Sequence, residues 1–210
     1  MKTNDERLAD ILEGLDHTSH IRLERIPDID LYMDQVLSFM EENLKQTRRM
    51  PEDKVLTKTM INNYAKNALI PPPVKKKYSR EHMILLIFIY YYKNLLSIND
   101  IGQLFEPITA HYFKAENGRN LCDIYNEVFS LEDEQMKRLR EEIRTMFDFS
   151  RTTFANAPEE EQEYLQLFTF ISELAFDVYR KKQIIERMID QLRSETQTGT
   201  TNGKKSRTEK

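Results

Sequence analysis

The sequence predicts an all-α protein with one very small β-hairpin. Only five of its 210 residues are glycine, and helix-favouring residue types such as Leu, Met, Glu, Lys and Arg are abundant. Apolar residues recur at spacings of three and four along several segments, which is typical of amphipathic helices. We therefore expect helices along most of the chain, interrupted by a short alternating stretch at residues 74–78.

The charge is distributed unevenly along the chain. The net charge is −4, but residues 45–82 contain ten Lys or Arg and only three acidic residues, which gives that segment a charge of +7. A basic segment on an acidic body indicates a polyanionic partner at one face. The single cysteine, Cys122, excludes an internal disulfide, and the longest apolar run, residues 83–92, is too short to span a bilayer. With a charged N-terminus in place of a signal peptide, we expect a cytoplasmic protein without a membrane partner.

The first part of the chain predicts an arm and then a helix. Residues 1–29 have a weak helical pattern with few apolar anchors, and we expect a frayed or mobile arm that ends in a loop around Pro27 and Asp28. Asp30 is predicted to cap a helix that ends near Lys45. Its apolar positions, at spacings of mainly three and four, are Leu31, Met33, Val36, Leu37, Met40 and Leu44.

A short helix and a basic turn follow. Thr57 is a good N-cap for a helix over residues 58–66. Three prolines at residues 71–73 then force an extended connection, and residues 74–78 alternate enough for a tiny hairpin or wing. The inward face of the helix is predicted to contain Met60, Ile61, Tyr64 and Ala65, and the outward face Lys58, Thr59, Asn62, Asn63 and Lys66.

The next two helices differ in character. Ser79 is predicted to cap a helix to about Asn94 that is apolar nearly all round and therefore lies in the core. Ser97 begins a short helix through Phe105, which Pro107 is expected to end. Residues 108–120 are interpreted as a connector.

The C-terminal half predicts three further helices. They cover residues 121–129, residues 131–149 with Ser130 as the cap, and residues 158–193 with Pro158 in the first turn. The last helix has a 4-3 apolar stripe, which indicates either a dimer seam or a core helix packed on two sides. Residues 194–210 are polar, and we expect a disordered tail. The stripe consists of Tyr164, Phe168, Ile171, Ala175, Val178, Lys182, Ile185, Ile189 and Leu192.

The short helix and the basic turn together suggest double-stranded DNA as the partner. An asparagine amide can pair bidentately with adenine, so Asn62 and Asn63 are candidate base readers. Lysines on the helix and in the turn would meet phosphates. Each feature alone is also common on ordinary surfaces; the combination favours DNA. The candidate DNA-binding residues are Lys58, Thr59, Asn62, Asn63, Tyr64, Lys66, Lys75, Lys76, Lys77 and Arg80, with Tyr64 either donating to a phosphate or packing.

Residues 56–105 resemble the DNA-binding domain of MerR-type (mercury-resistance type) regulators. The resemblance rests on INNYAKNALIPP at residues 61–72, YSREH at residues 78–82 and LSINDI at residues 96–101. It implies a second helix in the major groove, a wing on the backbone and a C-terminal antiparallel coiled-coil dimer. At the positions where that family usually has an Arg and its first Tyr, this sequence has Asn62 and Asn63. The usual turn glycine is Ala68, so Asn67 is expected to take the left-handed conformation.

The N-terminal two-thirds of the chain also resembles an uncharacterised bacterial family known only as a domain of unknown function, which implies no activity. Enzyme signatures are absent from the sequence: His17, His20, His82 and His111 have no metal-ligand spacing, and no nucleotide or nucleophile motif occurs. Cys122 beside Asp123 is expected to be a core thiol. We therefore expect neither catalysis nor a cofactor.

The sequence thus divides into an arm (residues 1–29), a MerR-like winged helix-turn-helix module (30–108), a helical dimerisation or effector region (109–193) and a tail (194–210). The predicted function is a dimeric, sequence-specific DNA-binding transcriptional regulator, with the dimer formed through residues 158–193. The alternative is a helical protein–protein interaction module without DNA specificity.

Overall fold

The computed structural model describes residues 2–15, 20–115 and 117–205, with side chains to residue 195. The described chain is mostly helical, as expected, with one two-stranded antiparallel sheet. The helices are α1 (Asn4–Leu15), α2 (Met33–Leu44), α3 (Lys58–Lys66), α4 (Arg80–Tyr92), α5 (Ile98–Tyr112), α6 (Leu121–Phe129), α7 (Glu132–Ser150) and α8 (Glu159–Lys205). The strands are β1 (Leu31–Tyr32) and β2 (Lys77–Tyr78).

Helix α4 is the centre of the main core, which confirms the prediction from its uniform apolarity. Every residue from Met83 to Tyr90 is buried. Helices α2, α3, α5 and α6 contribute apolar side chains around it. A helix that buries all of its faces stabilises the fold through the apolar area it removes from water, at about 25 cal/mol per Å².

The start of α2 differs from the prediction. Asp30 does not cap the helix, because Leu31 and Tyr32 form β1, which pairs with Tyr78 and Lys77 of β2. The helix begins two residues later, at Met33. The N–H of Tyr32 donates to the Gln35 side chain at 2.9 Å, so the capping contact is made from inside the first turn. An antiparallel partner 45 residues away could not be inferred from local pattern.

The hairpin expected at residues 74–78 is present. Lys77 donates its N–H to the Val74 carbonyl at 2.9 Å, and the two residues form a β-bridge. The two residues between them, Lys75 and Lys76, have φ of 51° and 64°. Positive φ at both central positions is the signature of a type I′ turn, whose twist matches that of the strands.

Helix α3 has the predicted bounds, and Thr57 caps it by accepting the Met60 N–H at 3.2 Å. Its C-terminus is a Schellman motif, in which Leu69 N–H donates to Tyr64 O and Ala68 N–H donates to Ala65 O. The left-handed residue is Ala68, with φ of 56°, and not Asn67 as expected. Ala68 occupies the position that follows the C-cap, where this motif requires positive φ.

Two predicted helix boundaries in the middle of the chain are wrong. Pro107 does not end α5, which continues to Tyr112. Near it the Thr109 hydroxyl donates to the Phe105 carbonyl at 2.9 Å, and α5 packs on α8. Ser130 does not cap α7; it follows α6 as its C-cap, and its hydroxyl donates to Glu127 O.

A second, smaller core joins the two ends of the chain. Leu12 of α1 is buried against Ile143 and Phe147 of α7 and Phe170 of α8. Arg151 also forms an ion pair with Asp5 at 2.9 Å. The arm expected at residues 1–29 is therefore packed where it is described, because three of its leucines match this apolar site.

Helix α8 connects the two cores. Phe170 lies in the smaller core, and Ile189, which is 2% exposed, lies in the main core. Beyond the predicted end near Arg193 the helix continues to Lys205, where a tail was expected. The remaining tail residues, 206–210, lie outside the described residues. None of the helices in the described ranges combines the length and the apolarity needed to cross a membrane.

Candidate nucleic-acid interface

Helix α3 has one side that is polar and exposed and an opposite side that is buried in the main core. Ile61 is fully buried and Tyr64 is 5% exposed, and both pack into the main core. The opposite side of the helix is exposed to solvent. We call this the α3 face; it consists of Lys58, Thr59, Asn62, Asn63 and Lys66, the five residues predicted to point outward. The side-chain assignment of this helix is thus confirmed for both faces.

The tip of the hairpin presents a group of lysines. Lys75 and Lys76 are exposed, and their left-handed backbone conformation forms the tight turn at the tip. Lys77 is partly buried, and its ammonium lies 5.1 Å from the centre of the Tyr32 ring, a cation–π distance. Tyr32 thus holds Lys77 both by strand pairing and through its ring. Sequence reasoning missed this role for Tyr32, because only the strand register reveals it.

A buried histidine fixes the base of the hairpin. His82 is 1% exposed; its Nδ1 accepts the Ser79 N–H at 3.0 Å, and its Nε2 donates to the Pro71 carbonyl at 3.1 Å. Its ring meets those of Tyr78 and Phe113 edge to face. Burial lowers the pKa of His82 below its usual value, which keeps the ring neutral and the accepting nitrogen free of a proton. This contact could have been predicted from the sequence, because a serine followed three residues later by a histidine has the spacing of a helix-capping contact.

Two predicted site residues are placed inside the fold. Tyr64 packs in the core, which was the alternative to its donating to a phosphate. Arg80 is largely covered; its guanidinium donates to the Leu23 carbonyl at 2.7 Å and lies 3.8 Å from Asp28. These contacts join α4 to the segment before β1. The structure therefore separates Tyr64 and Arg80 from the exposed polar residues of α3 and the hairpin.

Part of the basic segment is also used internally. Arg48 pairs with Glu41 at 2.7 Å and donates to the Asp53 carbonyl at 2.9 Å. Lys93, outside that segment, donates to the Val55 carbonyl at 2.9 Å, and burial lowers its pKa. The 13 residues between α2 and α3 are therefore tied down by cations. This connection is much longer than the three or four residues of a minimal helix-turn-helix.

Groups that could support other chemistry are dispersed. Within the described ranges no three residues among His, Cys, Asp and Glu are placed to hold a metal ion. Cys122 is partly buried, and burial raises its pKa, which disfavours the thiolate. His20 pairs with Glu132 and stacks on Phe129 between α6 and α7. His17 lies outside the described residues.

The profile of a protein family described as "Domain of unknown function (DUF1836)" matches residues 21–128, just over half of the chain. The chain belongs to the DUF1836 family. The DUF1836 domain contains β1, the hairpin and α2 to α5, and it includes nearly all of α6. The α3 face and the hairpin lysines thus lie within the family domain, whereas α1, α7 and α8 lie outside it. Searches of curated proteins and of solved structures found no match.

The family assignment agrees with the resemblance to a domain of unknown function that the sequence suggested. It names no activity and does not identify a MerR-type domain.

Proposed function

We propose that the DUF1836 domain is a MerR-like winged helix-turn-helix module that binds double-stranded DNA in sequence-specific fashion, within a dimeric transcriptional regulator. The single observation that supports this most is the α3 face. Two amides, Asn62 and Asn63, are exposed on a short helix between Lys58 and Lys66, while the other side of that helix is fixed in a rigid core. A reading helix needs this combination of firm anchoring and exposed hydrogen-bonding groups.

The two parts of the interface have different roles in this proposal. The asparagines on α3 read base edges, since each amide offers a donor and an acceptor that suit adenine. The lysines on α3 and at the hairpin tip contact phosphates and set the register without reading sequence. The net charge of −4 does not oppose this, because the hairpin tip concentrates Lys75, Lys76 and Lys77 at one point of an acidic molecule.

The dimer part of the proposal rests on the exposed side of α8. Over the part of α8 with described side chains, ten large apolar residues are at least 36% exposed. Most positions of the predicted 4-3 stripe are among them, although Ile189 is buried in the main core. An exposed apolar face of this extent indicates a protein interface. The ten residues are Tyr164, Phe168, Ile171, Phe176, Val178, Tyr179, Ile184, Ile185, Met188 and Leu192.

Charge along α8 favours a second copy in antiparallel orientation. Residues 159–177 contain six acidic and no basic residues, whereas residues 178–195 contain five basic and three acidic residues. Antiparallel pairing centred on Val178 places each acidic half against the basic half of the partner and matches Tyr164 with Leu192. A parallel pair would place the acidic halves together. A two-fold dimer of this kind would read an inverted repeat.

The second candidate function is a helical protein–protein interaction module without DNA specificity. The observation that favours it is the same apolar face of α8, which a different protein could cover. The two functions differ in what the hairpin lysines do. A protein–protein interaction module without DNA specificity would keep its biological activity when Lys75, Lys76 and Lys77 are replaced by alanine.

The test of DNA binding is fluorescence anisotropy with DNA from the promoter region of the protein's own locus, with competitor DNA and a salt series. The triple change Lys75→Ala, Lys76→Ala and Lys77→Ala should weaken binding to all sequences. It should reduce the slope of log affinity against log salt by roughly 2 to 3, about 0.9 for each phosphate that is no longer neutralised. A control with the same charge loss, made on α7 and α8, is Lys137→Ala, Arg138→Ala and Lys181→Ala.

The asparagine variant separates reading from positioning. Asn62→Ala should reduce the preference for the specific site by about 1–3 kcal/mol while leaving the salt slope unchanged. If Asn62→Ala and the triple lysine change behave identically, the assignment of readers and positioners is wrong. Binding that disappears with competitor, or that is equally weakened by the control triple change, contradicts sequence-specific DNA binding by this surface.

Light scattering at tens of micromolar tests the dimer. Ile171→Glu on the exposed apolar side of α8 should give monomers, and Phe149→Glu, at an apolar position on α7 that is also exposed, should leave the mass unchanged. In a Cys122→Ser background, the antiparallel arrangement predicts an interchain disulfide when Tyr164→Cys and Leu192→Cys chains are mixed and none in either variant alone, whereas a parallel pair would form the disulfide in each variant alone. A monomeric mass for the unmodified chain would remove the dimer from the proposal.

A further inference from the structure

The DUF1836 domain contains an apolar cavity of about 210 Å³ between α4, α5 and α6. Phe88 and Tyr92 of α4 and Phe105 of α5 line it, together with aliphatic side chains from all three helices. The hydroxyl of Tyr92 is the one polar side-chain group among its lining residues, and none of them is charged. Val128 of α6, which is 48% exposed, lies at the rim, so the cavity is accessible from solvent.

The aromatic side chains of the cavity form a preformed wall. The ring centres are 5.9 Å apart for Phe88 and Tyr92, 6.4 Å for Phe88 and Phe105, and 6.3 Å for Tyr92 and Phe105. Phe88 and Phe105 are almost fully buried in the main core, which fixes their orientation. Three rings at these separations pack on one another and leave the open volume beside them, where a further ring can stack. Sites that bind small molecules are commonly apolar and largely preformed in this way.

The size and chemistry of the cavity define what fits it. An apolar cavity of about 150 Å³ holds a benzene molecule, so the larger volume here suits a fused pair of rings. A charged ligand would lose its hydration without gaining a partner, because the lining residues carry no charge. An uncharged aromatic ligand gains both stacking and removal of its apolar surface from water.

We propose that this cavity is a binding site for a small uncharged aromatic molecule of about the size of indole. The site is separate from the α3 face and the hairpin, since neither contributes to its lining. Its occupation does not depend on whether the domain binds DNA, so the two proposals stand or fall independently.

The test is titration of the full chain with indole, followed by methyl NMR of Ile108, Ile124 and Val128. The methyl shifts should change and saturate with one-to-one stoichiometry at concentrations up to about 5 mM, which covers the weak affinity ordinary for so small a ligand. Benzoate, an aromatic anion, should produce no saturable change. Absence of saturation with indole, or equal binding of benzoate, overturns the proposal.

Variants at the rim show where indole binds. Val128→Trp should cover the opening and weaken indole binding about tenfold or more, whereas Val128→Ala should leave it within about threefold. Ile124→Phe fills the cavity from α6 and should have the same effect as the tryptophan, which keeps the test valid if one variant fails to fold. Unchanged binding in both filled variants would place indole elsewhere and contradict the assignment.

Discussion

Replacing Ala68 by glycine should stabilise the protein. Ala68 has φ of 56° at the end of α3 and is exposed, so the substitution removes steric strain without removing packing. The left-handed conformation disfavours an L-residue by about 1–2 kcal/mol. The greater freedom of glycine in the unfolded chain returns about 0.4–1 kcal/mol of this. The net increase in the free energy of unfolding is therefore about 0.8 kcal/mol, the difference between the midpoints of these two ranges.

Urea unfolding followed by circular dichroism measures this difference. The matched control is Ala65→Gly, three residues earlier and within α3, where glycine should destabilise by roughly 0.5–1 kcal/mol. The two alanines belong to the same Schellman motif but differ in the sign of φ, so their glycine variants should change stability in opposite directions. If Ala68→Gly destabilises as Ala65→Gly does, the left-handed end of α3 is not the conformation in solution.

Three further changes test other parts of the fold. The free energy of unfolding should fall as pH drops below about 6.5, because burial lowers the pKa of His82 and the unfolded chain is protonated first; His82→Gln should flatten that part of a pH series of urea titrations. Pro107→Ala should raise the thermal midpoint, since Pro107 is exposed and removes a hydrogen bond within α5, a loss of up to about 3 kcal/mol. Tyr125→Phe should lower the free energy of unfolding by about 1–3 kcal/mol, because the buried Tyr125 hydroxyl donates to the Ile21 carbonyl.

Local chemistry determined which elements could be predicted from sequence. Helix α3 was placed correctly because Thr57 supplies a cap and the apolar residues recur on one side. The core position of α4 followed from apolarity on all sides. Both features depend on residues close to one another in the chain, where propensity and periodicity act directly.

The errors have a common physical origin in contacts between distant residues. The strand pairing of Leu31 with Tyr78 overrides the cap expected at Asp30. Packing of α5 on α8 keeps the helix intact past Pro107. Arg80, counted as a surface cation, is held by the Leu23 carbonyl, 57 residues earlier. Tertiary contacts of this kind outweigh local preference and leave no local pattern.

Part of the candidate interface could be predicted from the sequence. The exposed α3 residues and the lysine turn could be predicted as surface residues from the sequence. The polar residues of a short amphipathic helix lie on the side that does not pack in the core. The supporting roles of Tyr32 and His82 depend on the register of β1 with β2 and on the path of the prolines, which only the folded chain defines.

The length of α8 between the two cores fixes the distance between Phe170 and Ile189. It also fixes the rotation of one residue relative to the other about the helix axis. Phe170 and Ile189 are 19 residues apart on a helix that has no glycine or proline between them, a separation of about 28 Å at 1.5 Å per residue. Each inserted residue would turn everything beyond it by about 100°, so one extra residue would move Ile189 out of the main core, whereas seven would restore its direction nearly completely. Family members that keep a helix like α8 should therefore vary in its length by numbers of residues that complete nearly whole turns, such as about seven, 11 or 18, which would change the spacing between the two cores by about 10, 16 or 27 Å.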